Sequence, residues 1–152
     1  VLVYADFECH YCALLESRLK DLDARVVFRH FPVTSKHPRA RAAAHAAEAA
    51  ARQGAFWEMH DSLFADQGRL DDPFLWQRAE RLGLDLDRFE ADRRSPAVAE
   101  RVQRDFRGGV RAGVVTTPTL VVGQTLYHGL VTERKIIDLL RQRRAEGKGT
   151  DE

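Results

Sequence analysis

Val1-Leu2-Val3-Tyr4-Ala5-Asp6-Phe7-Glu8-Cys9-His10-Tyr11-Cys12 opens the chain. Its first seven residues are dominated by apolar and aromatic side chains and end at Glu8, a length and composition suited to a buried strand. From Cys12 the pattern changes, because Leu15, Leu19 and Leu22 fall three or four residues apart and define a helix with one apolar stripe. Arg25 to Phe31 then reads as a second strand, stopped by Pro32. Strand, helix, strand with a crossover of this length favours two parallel neighbours in one sheet. Cys9 and Cys12 sit where the first strand hands over to the helix.

That position carries chemistry. Near a helix N-cap, the Cys9 sulfur meets unpaired backbone N–H groups and the positive end of the helix dipole, both of which favour thiolate over thiol. Cys12, one turn later, is expected to be more enclosed and within reach to attack a mixed disulfide. His10, when protonated, adds positive charge near Cys9, the alternative being a ring in solvent. Tyr11 reads as a solvent-edge or substrate-contact aromatic, or as packing. Asp6 and Glu8 act the other way, since carboxylates near Cys9 disfavour its anion.

With two cysteines in 152 residues a disulfide framework is excluded, and a C-x-x-C loop is too short to hold such a chain together. A structural zinc site needs about four ligands. His30, His37, His45, His60 and His128 form no H-x-x-x-H or C-x-x-H cluster beside the thiols, so neither metal nor cofactor is expected. Incidental buried cysteines would have to fall by chance on one strand-to-helix turn.

Hydrophobic residues make up 44% of the chain and charged residues 31%, as in ordinary soluble domains. Lys and Arg number 24 against 23 acids, a formal charge of +1 that supplies no pull toward nucleic acid or an acidic membrane. No apolar run approaches the roughly 18 residues of a membrane span, so no membrane insertion by this segment is expected. The V-L-V-Y-A-D-F opening has no basic n-region and no methionine, so the natural start is expected to lie upstream.

The middle is helical. Pro38 suits the first turn of an alanine-rich helix closed by Gly54, and Phe56, Trp57, His60, Leu63 and Phe64 recur at helical spacing before Gly68. Asp72-Pro73 reads as N-cap and first turn of a helix carrying Leu75, Trp76, Ala79 and Leu82. Leu84 to Arg93 gives a short helix, and Ser95-Pro96 starts another that Gly108-Gly109 is expected to break or bend. Trp57 and Trp76 are expected in the insertion core or its apolar lining. His30 and His60 read as structural histidines with backbone partners. Arg78, Arg81, Arg88, Arg93, Arg94, Arg101, Arg104, Arg107 and Arg111 read as solvated helix faces.

Past Gly113 the pattern is that of a hairpin, Thr119–Val122 and Thr125–His128 around Gly123-Gln124. Thr117-Pro118 precedes it, at a position where a cis bond turns the chain into a strand. Thr132 is a plausible N-cap for a last helix whose Ile136, Ile137 and Leu140 face the sheet. Residues 1–145 are expected to form one α/β domain with a helical insertion at about 36–111, and the polar tail at 146–152 to fray.

These segments together resemble the DsbA-like branch of the thioredoxin fold. The opening Tyr4-Ala5-Asp6-Phe7-Glu8-Cys9-His10-Tyr11-Cys12 is similar to the family's strand-D-F-x-C-P-x-C, and Phe28-Arg29-His30-Phe31-Pro32 to its F-R-H-F-P. Phe56-Trp57-Glu58-Met59-His60-Asp61-Ser62-Leu63-Phe64 resembles F-W-x-M-H-x-x-L-F, and Gly113 to Thr119 resembles G-V-x-G-T-P-T. The resemblance implies a thioredoxin-like mixed sheet with a helical insertion between the second strand and the cis-proline strand. It implies a thiol-disulfide oxidoreductase acting on cysteine-containing proteins and served by a redox recycling partner, with Cys9 as nucleophile and Cys12 as resolving cysteine. Thr117 and Pro118 would form the substrate-facing loop. His10 stands where the family often has proline, expected to retune the potential, and Thr116 where it often has glycine. Similar domains occur in the bacterial cell envelope, in the cytoplasm and attached to sodium/proton antiporters, so the alternative is a redox-inert binding or regulatory module attached to a transporter.

Overall fold

A computed structural model describes residues 1–148, in the order β1 (Leu2–Ala5), α1 (His10–Asp21), β2 (Val27–His30), α2 (Ala40–Ala51), α3 (Phe56–Ala65), α4 (Asp72–Arg81), α5 (Leu86–Arg93), α6 (Pro96–Ala112), β3 (Thr119–Val122), β4 (Thr125–His128) and α7 (Glu133–Lys148). The described strands form one mixed sheet in the order β2-β1-β3-β4. β1 is parallel to β2, with Ala5 opposite His30, and antiparallel to β3, with Tyr4 opposite Thr119. β2 therefore ends, and β3 begins, beside the carboxyl end of β1. Helices α2 to α6 leave the sheet and rejoin it at that one end. This is the expected thioredoxin-like mixed sheet with helices inserted before the cis-proline strand.

The core spans both parts. Val3, Phe7, Leu15, Leu19, Met59, Leu63, Leu120 and Ile136 are buried in one cluster that joins sheet, α1, α3 and α7. Each such side chain contributes about 1.5–3 kcal/mol by leaving water. In α2 seven alanines are buried, and their small side chains let α3, α5 and α6 approach its axis closely. Ser95 caps α6 by accepting a hydrogen bond from the Val98 N–H at 3.2 Å, Thr132 accepts from the Lys135 N–H at 3.2 Å, and Asp85 caps α5 from the Arg88 N–H at 3.0 Å.

Several expectations need correction. α6 does not break at Gly108-Gly109; it runs to Ala112 and stops at Gly113, whose φ of 95° is left-handed. A Cβ on Gly109 would lie 2.8 Å from the Phe31 ring and 3.0 Å from that of Tyr4, so this glycine serves close packing of the helix on the sheet. The cap of α4 is Asp71, because the Asp72 carboxylate is turned to Arg93 and Arg94 at 2.9 and 3.4 Å. α2 begins two residues after Pro38, and in α7 Leu139 is more deeply buried than Leu140. The same helix continues to Lys148, into the segment expected to fray, while 149–152 lie outside the described residues.

Trp57 and Trp76 are 45% and 38% exposed rather than core; Trp57 borders a groove of about 650 Å³ between α1 and α3, with Glu16, His60 and Phe64. Arg78 and Arg93 are buried, not solvated. Arg93 pairs with Asp72 and Glu90, and Arg78 is spent on backbone carbonyls. His30 and His60 are buried as read, yet their ring partners are carboxylates: Glu48 at 2.7 Å for His30, Asp61 at 2.9 Å for His60.

Candidate active site

The β1–α1 junction delivers Cys9 as the N-cap of α1, with extended φ and ψ of −79° and 119°, and Cys12 in its first turn. Both thiols are free, and Cys12 is fully enclosed while Cys9 is 5% exposed. The Asp6 N–H donates to Cys12 Sγ at 3.5 Å, and the Cys9 N–H to the Asp6 carbonyl at 3.1 Å. Cys9 Sγ faces the Thr117 carbonyl oxygen at 3.7 Å. The Thr117–Pro118 peptide bond is cis. Thr119 Oγ1 donates to the Thr116 carbonyl at 2.8 Å and the Gly129 N–H to the Pro118 carbonyl at 2.8 Å, so the loop is tied into the β3–β4 hairpin.

This arrangement separates the two sulfurs chemically. The Cys9 thiol is lowered to about 6, first by the hydrogen bond from the Cys12 thiol and then by the Cys12 backbone N–H and Thr117, against burial and the Asp6 charge. The Cys12 backbone N–H belongs to the first turn of α1, so the helix terminus expected to act on Cys9 does contribute, after the Cys12 thiol. Cys12 is pushed strongly up, by burial first and then by Cys9 holding its proton. A thiolate beside a buried, protonated thiol is the pairing that thiol–disulfide exchange requires.

The structure thus brings Cys9, Cys12, Thr117 and Pro118 together. His10 and Tyr11 are exposed, with ring centroids 5.9 Å apart. Asp6 and Glu8 are structural ties as well as charges. Asp6 Oδ1 accepts from the Glu8 N–H at 2.8 Å, while its Oδ2 accepts from the Val33 N–H at 2.8 Å and meets His37 Nδ1 at 2.9 Å. Glu8 accepts from the Arg39 N–H and Nε at 2.8 and 3.1 Å. Sequence reading missed Gln67, whose side-chain amide donates to the Phe7 and Cys9 carbonyls at 2.9 and 2.8 Å. Nothing in Asp66-Gln67-Gly68 marks it. Arg78 did leave a signal, a lone charge on the stripe of Leu75, Ala79 and Leu82.

Comparison with known proteins fits this geometry. The Na(+)/H(+) antiporter NhaA 3 of Salinispora tropica is 48% identical over 137 residues, covering 85% of this chain and 21% of the antiporter. A Na(+)/H(+) antiporter NhaA of Herminiimonas arsenicoxydans is 42% identical over 147 residues, 93% of this chain and 23% of that protein. The chain therefore spans about a fifth of the length of these curated relatives. Among solved structures, a thioredoxin-like oxidoreductase from Silicibacter pomeroyi superposes with a TM-score of 0.84 at 25% identity, over 95% of this chain and 85% of that one. The thiol-disulfide exchange protein alpha-DsbA2 from Wolbachia pipientis shares the fold at a TM-score of 0.82 and 19% identity, over 93% of this chain and 79% of that one. The DSBA-like thioredoxin domain model matches residues 30–142, which hold the inserted helices, Thr117 and Pro118 and follow the cysteine pair. With that span following a strand-to-helix junction that carries C-x-x-C, the chain belongs to the DSBA-like thioredoxin domain family.

Proposed function

We propose that this chain is a thiol–disulfide oxidoreductase exchanging disulfides with cysteine-containing polypeptides through Cys9 and Cys12. The observation that carries the reading is the placement of Cys9 at the N-cap of α1, with the buried Cys12 thiol in the first turn beside it and the Thr117 carbonyl of the cis-proline loop 3.7 Å from its sulfur. In the reducing direction the Cys9 thiolate attacks one sulfur of a substrate disulfide, forms a mixed disulfide and expels the other sulfur as a thiolate that takes up a proton. Cys12 then gives up its proton and attacks Cys9 Sγ. The Cys9–Cys12 disulfide forms, and the second substrate sulfur leaves as a thiolate. Two electrons pass from the cysteine pair to the substrate; the Cys12 proton ends on one substrate sulfur, and the other takes its proton from solvent, to which Cys9 had already given its own.

Oxidation of a substrate dithiol is the same sequence reversed. Stabilising the Cys9 thiolate stabilises the dithiol state, which makes the disulfide state the stronger oxidant. A recycling partner closes the cycle, a dithiol reductant after a reducing turnover or a disulfide oxidant after an oxidising one. Thr117 and Pro118 serve as the substrate-facing loop, where a peptide would pair in extended form. His10 and Tyr11 act as neighbours that tune or contact. Residues 1–145 serve as one domain, with 36–111 as its insertion.

Reduction of a scrambled model protein and oxidation of its reduced form, each followed by free-thiol titration, test the reading. Turnover in at least one direction supports it; none in either, with both thiols intact, refutes it. A second reading, a redox-inert binding module attached to a transporter, is favoured by the antiporter relatives, of which the chain spans about a fifth. Under that reading a Cys9→Ser/Cys12→Ser variant retains its function.

A further inference from the structure

The residues Phe7, Glu8 and Cys9 join β1 to α1 outside regular structure, and the inserted helices hold all three. Gln67 lies in the turn between α3 and α4, and its amide nitrogen, with two hydrogens, serves the Phe7 and Cys9 carbonyls at 2.9 and 2.8 Å. Arg39 grips the Glu8 carboxylate between them. The turn presenting Gln67 is itself fixed from behind. Buried Arg78 donates Nη2 to the Asp66 carbonyl at 2.8 Å, Nη1 to that of Arg69, and Nε to Ser62 Oγ at 3.1 Å. Arg39 Nη1 donates to the Gly68 carbonyl at 3.4 Å. A residue whose own backbone is pinned on both sides can hold its side chain in one geometry.

The consequence falls on Cys9. Its carbonyl also accepts the Ala13 N–H at 3.3 Å, the first hydrogen bond of α1. Fixing the Phe7 and Cys9 carbonyls orients the Phe7–Glu8 and Cys9–His10 peptide planes, which flank the Glu8–Cys9 pair, and thereby the direction of the Cys9 Cα–Cβ bond. That direction sets where Sγ stands against Cys12 and Thr117. The geometry points to Gln67 as a positioning residue for the Cys9 nucleophile, through which the inserted helices set the reactivity of the cysteine pair. This rests on the proposed exchange activity.

Three variants separate this role from simple space filling. Gln67→Glu keeps the shape but replaces two donors with acceptors that face two carbonyls. Gln67→Ala removes the donors, and Gln67→Asn shortens their reach. The rate of Cys9 alkylation by iodoacetamide at pH 7 and the thiolate absorbance across pH are read on the reduced chain, with a thermal melt beside them. A loss of hydrogen bonds to the turn is expected to slow alkylation about 3- to 10-fold in Gln67→Ala. Gln67→Glu is expected to be slower still, and Gln67→Asn intermediate. Arg69→Gln, whose side chain pairs with Asp66 on the same turn, is expected to stay within twofold of the parent rate.

An alkylation rate and thiolate titration unchanged in Gln67→Glu, with only Gln67→Ala impaired, would show space filling and overturn the proposal. Should Gln67→Glu not fold, an unchanged rate in folded Gln67→Ala or Gln67→Asn overturns it equally. Alkylation needs no disulfide substrate. A parent chain with reactive Cys9 but no turnover therefore refutes the exchange activity and leaves the positioning role to be judged on its own readout.

Discussion

Cys9 and Thr117 are 108 residues apart in sequence and meet at 3.7 Å, sulfur to carbonyl oxygen. The contact exists because β3 returns antiparallel beside β1, which puts the start of one strand against the end of the other. The stronger influence on the Cys9 sulfur nevertheless comes from Cys12, on its own helix.

The hydrogen bond from the Cys12 thiol is the first cause of the lowered Cys9 thiol. Cys12→Ala removes that donor and is expected to move Cys9 from about 6 toward its ordinary range, whereas Cys12→Ser keeps a donor and moves it less. Thiolate absorbance at 240 nm across pH reads both. Equal titrations in the two variants would deny the bond its role.

Thiolate stabilisation links stability to pH. The folded Cys9 value of about 6 lies below the ordinary 9.0, so its contribution is complete above pH 9 and is lost as pH falls through 6. Urea unfolding of the reduced parent and of Cys9→Ser at pH 5.5 and pH 8.5 is expected to show a gap that opens at the higher pH. A gap independent of pH would contradict the assignment.

Roles of the two sulfurs differ in what each variant can trap. Cys12→Ser is expected to accumulate a mixed disulfide with a cysteine-containing polypeptide through Cys9, and Cys9→Ser to accumulate none. Peptide mapping of the adducts decides, and an adduct on Cys12 reverses the roles.

Asp6 acts with two signs. Asp6→Asn disturbs the bonds to Val33, His37 and Glu8 and is expected to destabilise the fold by about 1–3 kcal/mol. It also removes a charge that raises Cys9, so the thiolate of the variant is expected to form at slightly lower pH. Denaturation and thiolate titration on the same sample test both.

Two adjacent glycines on α6 are expected to respond oppositely. Gly108→Ala meets nothing within 4 Å and is expected to stabilise the chain by about 1 kcal/mol through helix propensity. Gly109→Ala drives a Cβ into Phe31 and Tyr4 and is expected to destabilise it by about 1–3 kcal/mol. Thermal melts of the pair test the packing of α6 on the sheet.

Most of the fold was legible because periodicity and punctuation agree locally. The Leu15, Leu19 and Leu22 stripe, the Ser95-Pro96 start and the Gly123-Gln124 turn each state their structure within a few residues. The strand-to-helix position of Cys9 and Cys12, and the proline before β3, made the candidate site legible too. What sequence could not show depends on distant partners. Gly109 reads as a helix breaker until Phe31 and Tyr4 are placed against it, and although Arg78 stands out on its apolar stripe, the carbonyls of Asp66 and Arg69 that receive it do not. Trp57 and Trp76 lie on helical stripes wider than the surface those helices cover. Gln67 acts across 58 residues on a backbone atom, and a backbone acceptor has no residue type to announce it.

Because the inserted helices leave and rejoin the sheet at the same end of β1, their outward faces form the neighbourhood of the cysteines without contributing a strand to the ladder. Strand register and surface shape are thereby decoupled. Loops between these helices, apart from the α3–α4 turn that carries Gln67, could lengthen or change charge with the four strands still paired residue for residue. The shape around the cysteines can then diverge among chains of this architecture while the register of the sheet stays the same.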